Sequence, residues 1–187
     1  MNDLGPRSPA GFRSLGERVI YEGVVFKVVS GEFETPDGQV IQRDIARHPG
    51  AVSVVPVIGD EVVLVRQYRA AIDQEILEIP AGKRDIPGEP PEMTAKRELI
   101  EEIGYSTESL VLLATVYSSA GFCDEYSYVF LATDLEKASM NRQGPEEQHM
   151  TIERLALDDV VAAITQRRIE DATTVVGLMM ALRHLGR

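Results

Sequence analysis

The segment from Gly82 to Tyr105 constrains this chain most, because it reads as a short helix carrying Glu98, Glu101 and Glu102 on one side. Pro90 and Pro91 stand where a helix accepts proline, in its first turn, and Gly104 stands where a left-handed cap favours glycine. The helix is therefore expected over about Pro91 to Ile103. At about 100° per residue and with Glu98 at zero, Glu101 falls near −60° and Glu102 near +40°, while Met93, Leu99, Ile100 and Ile103 fall between roughly +100° and +220°. One face is acidic and the other is aimed at a core.

Such a face is uncomfortable without a cation. Like charges three or four residues apart repel by roughly 0.2 to 0.5 kcal/mol per pair, and Glu101 and Glu102 lie in the last turn, where the helix dipole disfavours anions. Magnesium removes both penalties, and it is usually held by one or two carboxylates together with water and substrate phosphate oxygens. Zinc is disfavoured, since the only cysteine is Cys123 and the three histidines are scattered.

The stretch resembles the Nudix box. Glu89, seven residues, then Arg97-Glu98-Leu99-Ile100-Glu101-Glu102-Ile103-Gly104 and Tyr105 match its second half throughout. The first half has six residues instead of five between Gly82 and Glu89, and the extra one falls in the loop Asp85-Ile86-Pro87-Gly88, where length is cheap to change.

Composition fits one soluble domain: 187 residues, 44% hydrophobic and 26% charged. The N-terminus shows no apolar signal core, the single cysteine excludes an internal disulfide, and the longest apolar run, around Val52 to Ile58, is too short to span a bilayer, so a cytoplasmic protein without membrane partners is expected. A net charge of −11 argues against a nucleic-acid partner.

Residues 1–15 read as a flexible tail, with order beginning near Glu17. Residues 16–50 read as a β-hairpin region: the runs Val24 to Val29 and Val40 to Ala46 flank the turn signal Thr35-Pro36-Asp37-Gly38. Residues 51–187 read as the main domain, with strands over Ala51–Ile58, Glu61–Tyr68, Leu110–Tyr117 and Tyr126–Leu131, then helices over Asp158–Arg168 and Thr173–Leu185, the last capped by Asp171. The fold class is α/β, and the Nudix resemblance implies an α/β/α sandwich with a mixed sheet, here with an added N-terminal antiparallel hairpin.

Outside the box, Arg66-Gln67-Tyr68-Arg69, Glu78-Ile79-Pro80-Ala81-Gly82, Ala120 to Glu125 and the stretch Arg43 to Val52 are similar to segments of ADP-ribose pyrophosphatases and other nucleoside diphosphate sugar hydrolases. That resemblance implies metal-dependent cleavage of the pyrophosphate of a nucleoside diphosphate sugar, ADP-ribose giving AMP and ribose 5-phosphate. It also implies a homodimer built through the N-terminal strands. Ala120 stands where the subfamily usually has proline, so a GDP-sugar or nucleoside triphosphate substrate, or a sensing domain that binds without cleaving, stays open.

By the same resemblance, Glu98, Glu101, Glu102 and the Ala81 carbonyl hold Mg2+, with Mn2+ as a substitute. Glu146, or in reserve Glu147, acts as general base. Arg69 contacts phosphate, Arg43 and Arg47 reach toward the ligand of a partner copy, and Phe122, Phe26 or a tyrosine stacks on the base, since the chain has no tryptophan. Gly82, Glu89, Arg97 and Gly104 are the structural positions of the box.

Overall fold

A computed structural model of the protein describes residues 8–140, 142 and 147–187. The chain divides into two compact units, one holding the described residues up to Pro49 with Tyr117–Tyr126, the other Gly50–Val116 with Ser127–Arg187.

In the first unit β1 (Arg13–Glu22), β2 (Lys27–Glu34) and β3 (Val40–Arg47) form an antiparallel sheet in that order. The Thr35 carbonyl accepts from the Gly38 N–H at 3.0 Å, and Gly38 sits at φ +86°, a conformation that glycine adopts without strain. The expected hairpin is present, but its first strand starts at Lys27, because Val24 to Phe26 make the β1–β2 turn that the Gly23 N–H closes onto the Phe26 carbonyl at 3.0 Å. β1 escapes a sequence reading because neither of its faces is buried, so no apolar alternation marks it. It begins at Arg13, earlier than the start of order expected near Glu17. Residues 1–7 of the expected tail lie outside the described residues.

The second unit continues through β4 (Ala51–Ile58), β5 (Glu61–Arg69), β6 (Gln74–Glu78), β7 (Ala81–Lys83), α1 (Pro91–Glu98), β8 (Tyr105–Ser106), β9 (Ser109–Tyr117), β10 (Tyr126–Thr133), β11 (Glu136–Lys137), β12 (Thr151–Ala156), α2 (Val160–Thr165) and α3 (Ala172–His184). The main sheet runs β12-β5-β4-β10-β9, with β6 on β5 and β7 on β4, while β8 and β11 form a separate two-stranded ribbon. It is a mixed sheet: β4 and β10 pair in parallel, whereas β4–β5, β5–β6, β4–β7 and β5–β12 are antiparallel.

The near-continuous valine runs of β4 and β5 follow from burial on both faces. Val55, Val57, Val62, Leu64, Val129 and Leu131 enter one cluster with Leu178, Ala181 and Leu182 of α3. Their neighbours Val52, Val54, Val63, Val65, Phe130 and Ala132 enter another with Ala95, Leu99 and Ile103. Each fully buried aliphatic or aromatic side chain here contributes roughly 1.5 to 3 kcal/mol, so the helix carrying Glu98 is pinned to one face and α3 to the other. The α/β/α sandwich is present. Asp171 caps α3 by accepting from the Thr174 N–H at 2.7 Å.

The box helix is not a single α-helix. After α1 the residues Leu99–Ile103 form a π-helical turn, closed by Gly104 at φ +70°. Met93, expected on the core face, is 53% exposed, since α1 buries Thr94, Ala95 and Glu98 instead.

Candidate active site

Two glutamates of this helix, Glu98 and Glu102, are almost wholly buried, 7% and 3% exposed. Their carboxylates lie against β7. Glu102 Oε2 accepts the Ala81 N–H at 3.1 Å. A Cβ built on Gly82 would fall 1.9 Å from Glu98 Cδ, so only glycine at 82 leaves room for that carboxylate. β7 is held in place by pairing with Ala51 to Ser53 of β4, and the strap before it by the Ile79 N–H donating to the buried Thr174 Oγ1 at 3.1 Å.

Burial raises the proton affinity of both carboxylates. Loss of solvent pushes Glu98 up to about 7, against the pull of Arg97 and with a further push from Glu101. Loss of solvent pushes Glu102 up to about 8, helped by the negative charge of Glu98 and opposed by the Ala81 N–H. The charge of Glu147 raises both.

Glu101 pairs with Arg97, its neighbour one helical turn back. Arg97 Nη1 donates to Glu98 Oε1 at 2.8 Å and to Glu101 Oε2 at 3.3 Å, while its Nη2 donates to Glu89 Oε2 at 3.3 Å. Glu101 and Glu98 thus share the Arg97 guanidinium. Glu89 also accepts the Thr94 hydroxyl at 2.7 Å, and that bond, with Arg97, holds its carboxyl below the ordinary value. The residues between, Asp85 to Gly88, are all exposed, and a Cβ on Gly88 would meet nothing within 4 Å, so the extra residue of the box sits in open solvent.

The donor chemistry fits a hard divalent cation. Glu98, Glu102 and the Ala81 backbone offer oxygen alone, in surroundings that penalise two unneutralised charges. Among the described residues no three His, Cys, Asp or Glu side chains gather as a closed metal cage. Two carboxylates leave most of a divalent ion's shell to other ligands, unlike a closed structural site.

Arg69 is held by a carboxylate that sequence reasoning did not connect to it. Its Nε reaches both Glu78 oxygens at 3.0 and 3.1 Å and its Nη2 reaches Oε2 at 2.6 Å. The arginine side chain remains 42% exposed, while Glu78 is 7% exposed. No local spacing signals this pair: Arg69 stands opposite Gln74 and Glu78 opposite Val65 in the β5–β6 register, and the long arginine side chain bridges the two ends. Glu147 opens a 3₁₀ turn over Glu147–His149, whereas Glu146 lies outside the described residues.

In the first unit, a cavity of about 560 Å³ brings Arg43 and Phe122 together with Phe12, Phe33, Ile45 and Tyr117. The loop carrying Phe122 is stitched to β3: the Ala46 N–H donates to the Phe122 carbonyl at 2.8 Å, and the Asp124 N–H to the Ala46 carbonyl at 3.2 Å. Arg47 is engaged by Glu17 and Asp124. Phe26 is 44% exposed in the β1–β2 turn and does not line that cavity.

A family model described as "NUDIX domain" matches residues 47–174. Over 167 residues the chain is 35% identical to the "ADP-ribose pyrophosphatase" of Bacillus subtilis (strain 168), covering 89% of this chain and 90% of that one. It is 38% identical over 171 residues to the "Methanol dehydrogenase activator" of Bacillus methanolicus, covering 88% and 92%. A crystal structure of an ADP compounds hydrolase superposes with a TM-score of 0.83 at 23% identity, covering 97% of this chain and 100% of that one.

Proposed function

The chain belongs to the NUDIX domain family, and from that membership we propose that it is a pyrophosphohydrolase whose substrate is ADP-ribose, cleaved to AMP and ribose 5-phosphate. The observation that carries this reading is the buried pair Glu98 and Glu102 packed on Ala81 and Gly82. The 35% identity to an ADP-ribose pyrophosphatase over most of both chains favours this substrate over a GDP-sugar or a nucleoside triphosphate.

We assign the metal as Mg2+, held by Glu98, Glu102 and the Ala81 carbonyl, with Mn2+ able to replace it. Bound there, it would polarise the bridging phosphates and lower the pKa of an attacking water. Every other contribution comes from the chain. Glu101 and Glu89, through Arg97, fix the rotamer of Glu98. Arg69, oriented by Glu78, offers a planar cation to a phosphate oxygen. Glu146 is the first expectation for the general base and lies outside the described residues; Glu147, its reserve, is the described carboxylate that would take the proton of the attacking water. Arg43 and Phe122, on the aromatic cavity of the first unit, are suited to a base or ribose.

The assay is direct. Purified protein with Mg2+ is expected to release AMP and ribose 5-phosphate from ADP-ribose faster than it cleaves GDP-mannose, UDP-glucose or nucleoside triphosphates. Glu147→Gln is expected to lower kcat by roughly 10²- to 10⁴-fold, the usual contribution of a general base. Near-normal turnover in both Glu147→Gln and Glu146→Gln would remove this loop from the mechanism.

We also propose that the protein is a homodimer through β1 and its turn. Val19, Ile20, Tyr21, Val24, Phe26 and Val40 leave large apolar side chains 44 to 101% exposed on one small sheet, an arrangement that a second copy would cover. Sedimentation velocity reads the mass, and a monomer at micromolar concentration would contradict the proposal. Among the described residues no helix is long and apolar enough to cross a membrane, and we place the enzyme in the cytoplasm.

A further inference from the structure

Arg142 was not among the residues that the sequence singled out, yet its guanidinium joins two separate backbone segments near the site. Its Nε and Nη2 donate to the Glu102 carbonyl at 3.3 and 3.1 Å, and its Nη1 donates to the Met150 carbonyl at 2.6 Å. The first of these carbonyls belongs to a proposed metal ligand. The second ends the loop that carries Glu147.

The surroundings make this more than a surface clasp. Glu102 lies in the π-helical turn just before Gly104, where carbonyls have lost their partners further along the helix and a cation is favoured. The chain leading to Arg142 is laid on the same helix end: the Ala138 N–H donates to the Gly104 carbonyl at 2.9 Å, and β11 pairs with β8. Beyond the loop, Met150 is 4% exposed in the cluster that also buries Leu99 and Ile103. Its N–H donates to the Glu147 carbonyl at 3.1 Å, so the Met150 backbone also ends the turn on which Glu147 stands. The charge of Glu147 is felt by both Glu98 and Glu102, so the turn lies within electrostatic reach of the ligand pair.

We propose that Arg142 is a positioning residue for hydrolysis, which locks the Glu147 turn onto the C-terminal end of the ligand helix through the Glu102 and Met150 carbonyls. Among the described residues, its hydrogen-bond partners are backbone carbonyls alone. Its planar fork donates to two carbonyls in different directions at once, which the single ammonium of a lysine does not reproduce. The inference rests on the pyrophosphohydrolase reading for what is positioned, but the clasp itself is independent of substrate.

The test uses the full chain with Arg142→Ala and Arg142→Lys, alone and combined with Glu147→Gln. Expected is a fall in kcat of about 10- to 100-fold, the range that loss of a supporting contact produces, with KM within about 3-fold and little rescue by lysine. In the Glu147→Gln background the further loss on removing Arg142 is expected to be under about 2-fold, because two residues that act as a unit are not additive. Parental kcat in Arg142→Ala, or independent multiplication of the two losses, would overturn the proposal. Hydrogen exchange supplies a readout that does not need turnover. In Arg142→Ala the amides of residues 147–151 are expected to exchange at least about 10-fold faster, while those of β4 and β5 keep their protection. If the parent protein cleaves no ADP-ribose, the functional reading falls and the exchange result alone decides the clasp, unchanged protection refuting it.

Discussion

Glu102→Gln is expected to lower kcat for ADP-ribose by about three orders of magnitude, the several kcal/mol that a metal supplies at about 1.36 kcal/mol per decade. Glutamine keeps the size and the bond to the Ala81 N–H but cannot balance a divalent charge, so a parental rate would remove Glu102 from the metal site. The same substitution is expected to stabilise the metal-free protein. In the folded chain Glu98 and Glu102 release their protons at about 7 and about 8, against a reference of 4.5. Between those values the folded state binds more protons than the unfolded one, so stability is fully present below about 4.5 and falls as pH rises through 7 and 8. Thermal melts of the metal-free parent should therefore drop from pH 5.5 to 8.5, and Glu102→Gln should flatten much of that drop. Added Mg2+ should restore the melting point most at the alkaline end, where the carboxylates are free to bind it. A parent melting curve independent of pH across this window would mean that the two side chains ionise as they do in water.

Gly82→Ala is the second substitution with a large expected effect, and it alters no charged group. The new methyl would lie 1.9 Å from Glu98 Cδ and 2.0 Å from Oε1, so the carboxylate must move by more than an ångström. A misplacement of that order costs on the order of 100-fold in rate. Mn2+ affinity measured by calorimetry should fall in parallel, while the far-ultraviolet spectrum stays parental, because the rest of β7 keeps its pairing with β4. Parental rate and affinity in this variant would show that Glu98 does not need its place over Gly82.

The sequence exposed those features whose cause is local. The start of α1 at Pro91, the left-handed Gly104, the valine strands β4 and β5 and the Asp171 cap each follow from a few adjacent residues, and each lies where the residues imply. Strands β1, β6, β7 and β12 were missed for physical reasons. β1 has no buried face, β7 is three residues long, and β6 and β12 mix charged residues with a few buried ones. Their identity comes from the partner strand, not from alternation.

The site divides in the same way. Spacing alone marked Glu98 and Glu102, but an ideal helical wheel could not show the π turn at Leu99–Ile103, which nothing in the composition signals. It placed Glu101 on the same acidic side, as a residue that shares or supports the cluster, and in the fold Glu101 accepts from Arg97. Glu78 on Arg69, Thr174 on Ile79 and Arg142 on Glu102 all join residues brought together only by the fold. Long-range hydrogen bonds of this kind leave no trace in a single chain's periodicity.

The solvent-facing turn Asp85–Gly88 makes the molecule convenient to instrument. Ile86 is 47% exposed, and nothing lies within 4 Å of a Cβ on Gly88. Doubling a loop's length costs only about 0.6 kcal/mol in closure entropy. The chain's single native cysteine, Cys123, lines the cavity of the first unit, so with Cys123→Ser a thiol-reactive fluorophore would attach at Ile86→Cys alone, a few residues from Glu89 and outside the packed core. Occupancy of the carboxylate pair could then be followed by emission in real time, without a coupled enzyme and without a chromogenic substrate.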